Sequence, residues 1–237
     1  MKYLVCIFSI FFAVSAHGVE PAPPSIRVEK TADFPVTGDG SHSAWESAVW
    51  TPLAPMGLSE GSSYSARFKV LHSETGLYVL FEGTDTMLTA TLREDFSHLW
   101  EEDVFEIFLW TDEAYPVYFE YEISPLGTEL PILVPNLKGK FLGWRPWDYE
   151  GERKVRKATQ VMGGPKEPGA KIEGWRAEVF IPYALLAPLG NVPPKPGTAW
   201  RVNVYRIDRD EKKLAAWSWA PVEQHFHEFE RFGRVEF

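Results

Sequence analysis

Apolar and polar residues alternate along much of this chain with a period of two rather than 3.6. Residues 66–72 place Ala66, Phe68 and Val70 on one side and Arg67 and Lys69 on the other. Glu74-Thr75-Gly76 then supplies a turn, and residues 77–83 return as the partner of a hairpin. The strongest strand is 104–110: Phe105, Ile107 and Leu109 share one face, and Val104, Glu106, Phe108 and Trp110 share the other. Residues 118–123 alternate as cleanly, with Phe119, Tyr121 and Ile123 opposite Tyr118, Glu120 and Glu122. Further strands are expected at 175–181, 200–208, 214–219 and 234–237. Helical periodicity is scarce; a single turn over 183–186 follows Pro182, a residue suited to a helix start. The pattern predicts an all-β fold, a two-sheet antiparallel β-sandwich of immunoglobulin-like or jelly-roll-like type with long loops. Gly38-Asp39-Gly40 marks a turn ahead of Trp45 and Trp50. The stretch 135–151 reads as an unusually long loop, carries Trp144, Trp147 and Tyr149, and is expected to be functional or disordered.

Composition adds the compartment. Lys2, an apolar run from Leu4 to Val14 and the small residues Val14-Ser15-Ala16 have the form of an export signal over 1–16. The run is short for a membrane span. A Pro-rich linker over 17–27 follows, then one domain over 28–237. The expected location is secreted or periplasmic, with no membrane span in the mature chain. Cys6, the one cysteine, lies inside the signal, so the mature chain has no disulfide, thiolate metal site or cysteine nucleophile. The net charge of −9 becomes −10 without Lys2, which argues against nucleic acid or anionic membrane as partner. Ten tryptophans and an aromatic content of 15% exceed ordinary needs only slightly, since a core absorbs many of them.

Four constellations could carry chemistry. Trp100 offers a flat apolar plate six residues ahead of Glu106, a carboxylate in an apolar strand, where a charge is costly unless paired or used. Plate and carboxylate suit a sugar; the plain alternative is a structural ion pair of Glu106 with an arginine such as Arg206. Glu120 and Glu122 could join Glu106 as a hydrolytic carboxylate set, but a solvated strand face has the same alternation. His225 and His227 with Glu228 could ligate a metal, although no second cluster supports them. Asp39, Asp85, Asp95 and Asp103 lie in loops that could bind calcium, without the spacing of a calcium loop. No phosphate loop or dinucleotide fingerprint is present.

Taken in order, Gly38-Asp39-Gly40 with Trp45, Gly76-Leu77-Tyr78-Val79, Trp100-Glu-Glu-Asp-Val-Phe-Glu106-Ile-Phe108, Trp175 to Pro182, Trp200-Arg-Val-Asn203, Trp217-Ser218 and 226–233 resemble the family 9 carbohydrate-binding module. The resemblance runs from about Val28 to Phe237; its specific parts are Trp-Xaa-Xaa-Asp-Xaa-Xaa-Glu and the closing Phe-Gly. It implies a two-sheet sandwich without catalysis of its own. Such a module accompanies xylanases and related glycoside hydrolases and binds cellulose, xylan or small sugars in carbohydrate catabolism. It implies that Trp100 is one of two aromatic plates, that Phe226 stands where the second, usually Trp, is expected, and that Glu106 is the sugar-binding carboxylate. Glu122 stands where the family has arginine and Tyr205 where it has an amide side chain. Those departures imply another glycan or a changed site. The family often binds calcium. Rival readings are a glycoside hydrolase using Glu106 with Glu120 or Glu122, a haem- or metal-binding sandwich using His225, His227 or a methionine, and an interaction module whose sugar site has decayed.

Overall fold

The computed structural model describes residues 22–59, 62–137, 140–147, 149–210 and 213–237; the expected export signal lies outside them. Sixteen strands are formed among the described residues: β1 (Ser25–Arg27), β2 (Glu29–Lys30), β3 (Thr51–Pro52), β4 (Ala54–Pro55), β5 (Ala66–His72), β6 (Gly76–Thr84), β7 (Val104–Trp110) and β8 (Val117–Ile123) come first. They are followed by β9 (Glu129–Leu137), β10 (Lys140–Phe141), β11 (Arg145–Pro146), β12 (Arg156–Met162), β13 (Gly174–Pro182), β14 (Ala199–Asp208), β15 (Ala215–Ser218) and β16 (Gly233–Glu236). One short helix, α1 (Tyr183–Leu186), begins after Pro182 as the sequence predicts. Among the described residues no helix is long and apolar enough to cross a membrane.

The strands form two sheets. The larger runs β1-β16-β14-β7-β8-β9-β10, with β11 against β9 and β15 bridging β14 and β4; the smaller runs β12-β13-β6-β5-β2, with β3 on β5. The pairings are antiparallel except at two short edges, where β1 runs parallel to β16 and β2 parallel to β5. The two-sheet sandwich is the predicted one, and these parallel edges are its departure from the antiparallel expectation. The last residues of the segment read as linker, Ser25–Arg27, are β1 itself.

Between the sheets lies the main core, to which β7 gives Phe105, Ile107 and Leu109, β8 gives Phe119, Tyr121 and Ile123, and β13 gives Trp175, Ala177, Val179 and Ile181. For β7 and β8 these are the faces that alternation separates from the glutamates. The outer face of each sheet is also covered. On the smaller sheet Phe34 stacks on Tyr78 at 4.0 Å, and Trp45 donates to the wholly buried Glu178 at 2.9 Å. The same carboxylate accepts the Thr37 and Gly38 amides at 2.9 and 2.7 Å, so the Gly38 turn and Trp45 are scaffold. Gly38 has φ +89°, and a Cβ there would lie 2.9 Å from the Ala158 carbonyl carbon, so the turn requires glycine. On the larger sheet a second apolar cluster forms from Val104, Phe108, Tyr118, Ile132 and Tyr205 under Leu99, Phe229 and Phe232.

Two strands escape the period-two reading. β9 contains Pro131 and Pro135, which ordinarily argue against a strand. Their carbonyls accept the Trp147 and Leu142 amides on the outer side, whereas Asn136 donates to Pro116 on the β8 side. The missing N–H groups therefore face away from β8, and the ladder to β8 survives. β9, β10 and β11 thus occupy part of the stretch expected to be one loop. β12 is a half-exposed edge strand with little apolar alternation to detect.

Candidate functional site

The outer face of the larger sheet carries a pocket of about 410 Å³, within the range of small-molecule sites. Its floor follows from register. Tyr205 of β14 pairs with Glu106 of β7, Glu106 with Glu122 of β8, and Glu122 with Leu130 of β9. One step along, Asn203, Phe108, Glu120 and Ile132 make the next row. Three glutamates therefore share one face on two adjacent strands. Their burial corrects the reading of Glu120 and Glu122 as a solvated strand face: Glu106 is 2% exposed, Glu120 4% and Glu122 1%. The cover comes from remote segments, Trp144 and Phe141 from the 135–151 stretch and His225, Phe226 and His227 from the late loop.

Trp100 sits in a 3-10 turn, Leu99–Glu101, just before β7. His98 stacks on one face of its ring at 4.4 Å, and Trp144 meets it edge-on at 5.9 Å. Phe226 is backed the same way: Tyr205 stacks beneath it at 4.1 Å and 4°, and the Tyr205 hydroxyl donates to the Phe226 carbonyl at 2.7 Å. Each plate thus has one supported face and one left for the pocket. Tyr205 is wholly buried and positions Phe226; it does not line the pocket.

Among the described residues the acids have no arginine or lysine partner. The expected alternative, Arg206 paired with Glu106, is overturned by strand geometry, since adjacent residues on β14 point to opposite faces. Arg206 enters the space between the sheets and donates to Asp85 at 2.9 Å, to Asp208 at 2.7 Å and to the Thr84 carbonyl at 2.6 Å. Gly83 makes room for it, because a Cβ there would lie 2.6 Å from the guanidinium. Among the described residues no lysine or arginine pairs with Glu106, Glu120 or Glu122; Glu120 has only His227, 3.7 Å away. Burial pushes Glu106 up to about 8. Burial and the neighbouring acids push Glu120 and Glu122 well above the usual carboxylate range. One oxygen of Glu120 and one of Glu122 are buried without a hydrogen bond. His227 lies 2.6 Å from the Tyr118 hydroxyl and stacks on Phe141 at 4.1 Å; burial, then His225, lowers it to about 4, so it is neutral near pH 7.

The oxygen ligands expected of loop aspartates gather elsewhere. Among the described residues one group of three acids, Asp85, Asp103 and Asp208, brings its ligand atoms within 4.8 Å of one another. Asp39 and Asp95 are not in it. The donor set suits a hard cation such as calcium. Arg206 already supplies one positive charge there, and the Thr89 and Arg209 amides donate to Asp103 at 2.7 and 2.9 Å. His225 and His227, tilted with centroids 6.2 Å apart, join no such group.

Broader concavities of about 1140 and 760 Å³ lie elsewhere, and several of their polar groups are engaged with one another. In the first Asp33 accepts from Thr75 at 2.9 Å and Arg156 lies over the Phe180 ring; in the second Tyr64 donates to Asp210 at 2.6 Å.

Trp144, Phe141 and Ile132 were not anticipated as lining residues. Trp144 was legible only as an aromatic in a long loop, and Ile132 belonged to a strand hidden by its prolines.

Residues 36–125 match the sequence profile of the carbohydrate family 9 binding domain-like family. No curated protein matches the chain in sequence. Among solved structures, a proposed carbohydrate-binding protein of Bacteroides uniformis ATCC 8492 superposes with TM-score 0.74 at 17% identity, covering 91% of this chain and all of that one. A family 9 module of Caldicellulosiruptor kristjanssonii in complex with cellotriose gives TM-score 0.63 at 16% identity over 90% of this chain and 92% of that one. Its complex with glucose gives 0.62 at 17%, over 90% and 94%. Residues 36–125 thus carry the sequence signature of the family 9 binding domain, and the sandwich as a whole has the fold of that family's solved modules.

Proposed function

We propose that this protein binds sugar without transforming it, in the pocket on the outer face of the larger sheet. The observation that carries the reading is the pair of backed aromatic plates, Trp100 on His98 and Phe226 on Tyr205, beside the acids of β7 and β8. Apolar sugar faces stack on such rings while hydroxyls donate to carboxylates. The solved family 9 module with cellotriose and with glucose shares the fold, which supports a glucan-type or other plant-type polysaccharide as source. Hydrolysis requires one carboxyl held protonated and another held ionised, and here all three are pushed the same way. The export signal over 1–16 and the service of a partner glycoside hydrolase complete this reading, which places the protein outside the cytoplasm in carbohydrate catabolism.

The test is a tryptophan-fluorescence titration with mono- and oligosaccharides. The parent should show a saturable change, and Trp100→Ala should weaken binding by about tenfold or more while the circular dichroism spectrum is kept. Unchanged affinity in that variant would move the site elsewhere, and release of reducing sugar by the purified protein would make it a hydrolase.

A further inference from the structure

The polar lining of the pocket is dominated by acids. A sugar hydroxyl both donates and accepts, so a site for neutral sugar ordinarily offers both kinds of group. This one offers Glu106, Glu120 and Glu122 together, with His225 and His227 opposite them and no arginine, lysine or amide side chain among the lining residues. Held protonated, these carboxyls keep O–H donors; once their protons leave they only accept. The free oxygens of Glu120 and Glu122 are buried and unpartnered, in residues 4% and 1% exposed, within the lining of the pocket. A partner that displaces the protons of such a wall brings several donors and positive charge in their place. An ammonium group brings three N–H donors and no acceptor.

The rest of the wall discriminates among cations. A bare metal ion would need the oxygens to converge, and among the described residues these three glutamates form no group with ligand atoms within 4.8 Å of one another. The aromatic plates Trp100 and Phe226, with Trp144 at the rim, suit an organic cation attracted to ring faces. The chain's excess of acids over bases draws cations in the same sense.

We propose that the sugar taken by this pocket is an amino sugar, its ring against Trp100 and Phe226 and its ammonium group on Glu106, Glu120 and Glu122. The inference rests on the sugar-binding reading and narrows it. Binding then replaces protons of the buried acids with the ammonium charge, so protons leave as the ligand enters.

Calorimetric titration at about pH 6.5, where a sugar amine is largely protonated, tests this. Glucosamine should bind at least about tenfold more tightly than glucose or N-acetylglucosamine, which lacks the charge. The heat should depend on the buffer in the sense of proton release with glucosamine and not with glucose. Glu122→Gln should erase the preference, with its urea midpoint showing that it remains folded. Glucosamine binding no more tightly than glucose would overturn the inference and leave sugar binding standing. Failure of glucosamine, glucose and cellotriose alike would remove both. Methylammonium competing as well as glucosamine would show an amine site that does not recognise a sugar, and would also overturn it.

Discussion

A single glutamate in an apolar strand can be followed from sequence to measurable behaviour. Glu106 binds its proton more tightly folded than unfolded, so between about 4.5 and about 8 the folded state holds more protons than the unfolded chain. Its contribution is present below that window and is lost as pH rises through it. Glu106→Gln should therefore flatten the fall of the urea midpoint between about pH 5 and pH 9, with the variant stabler than the parent by about 1–3 kcal/mol at the upper end. A slope equal to the parent's would show that Glu106 ionises freely in the folded protein. The sequence made Glu106 visible because a charge among six apolar residues breaks a pattern. Glu120 and Glu122 stood out as candidates, but their burial was not visible, because alternating polar residues look the same under water as under a loop. What covers them, Trp144 and Phe226 to His227, comes from far along the chain.

β14 shows how an element serves two purposes by alternation. Tyr205 faces the pocket side and holds the Phe226 backbone, while Arg206 faces inward and neutralises part of the aspartate cluster. Tyr205→Phe removes two buried hydrogen bonds, the one donated to the Phe226 carbonyl and the one accepted from the Asn203 amide, and should cost about 1–3 kcal/mol in denaturant unfolding, with sugar affinity falling several-fold as the plate loosens. Arg206→Met strands buried Asp85 and Asp208, which burial already pushes above the usual carboxylate range, Asp85 to about 7. It should cost about 3–5 kcal/mol at neutral pH and less in acid, where the carboxyls take up protons; an equal cost at both would mean that packing rather than charge is lost. Strands with clean alternation, β5, β7 and β8, were legible nearly to the residue. β12 was not, because half-exposed Lys157 and Thr159 and exposed Gln160 at an edge select for no period.

Over the whole molecule, two sheets enclose one core and each carries a further apolar cluster on its outside. The parallel contact of β1 with β16 joins residues separated by nearly the full chain, and β12 to β13 to β6 crosses many intervening residues. Such pairings close large loops before they yield contact energy, so stopped-flow refolding should proceed in milliseconds to seconds; microsecond folding would contradict the topology. The sandwich class was legible because period-two segments recurred with turns between them. The coverage of both outer faces was not, since it depends on where loops land rather than on any local pattern. The outward amides that Pro131 and Pro135 lack have a meaning beyond the strand that contains them. A neighbouring chain seeking to extend the larger sheet past β9 would find no N–H at these two residues and their carbonyls already taken by the Trp147 and Leu142 amides, with the short β10 and β11 in the way. That margin of the protein is a poor template for a further strand, which protects a chain rich in β-structure from edge-to-edge aggregation at its longest outer strand.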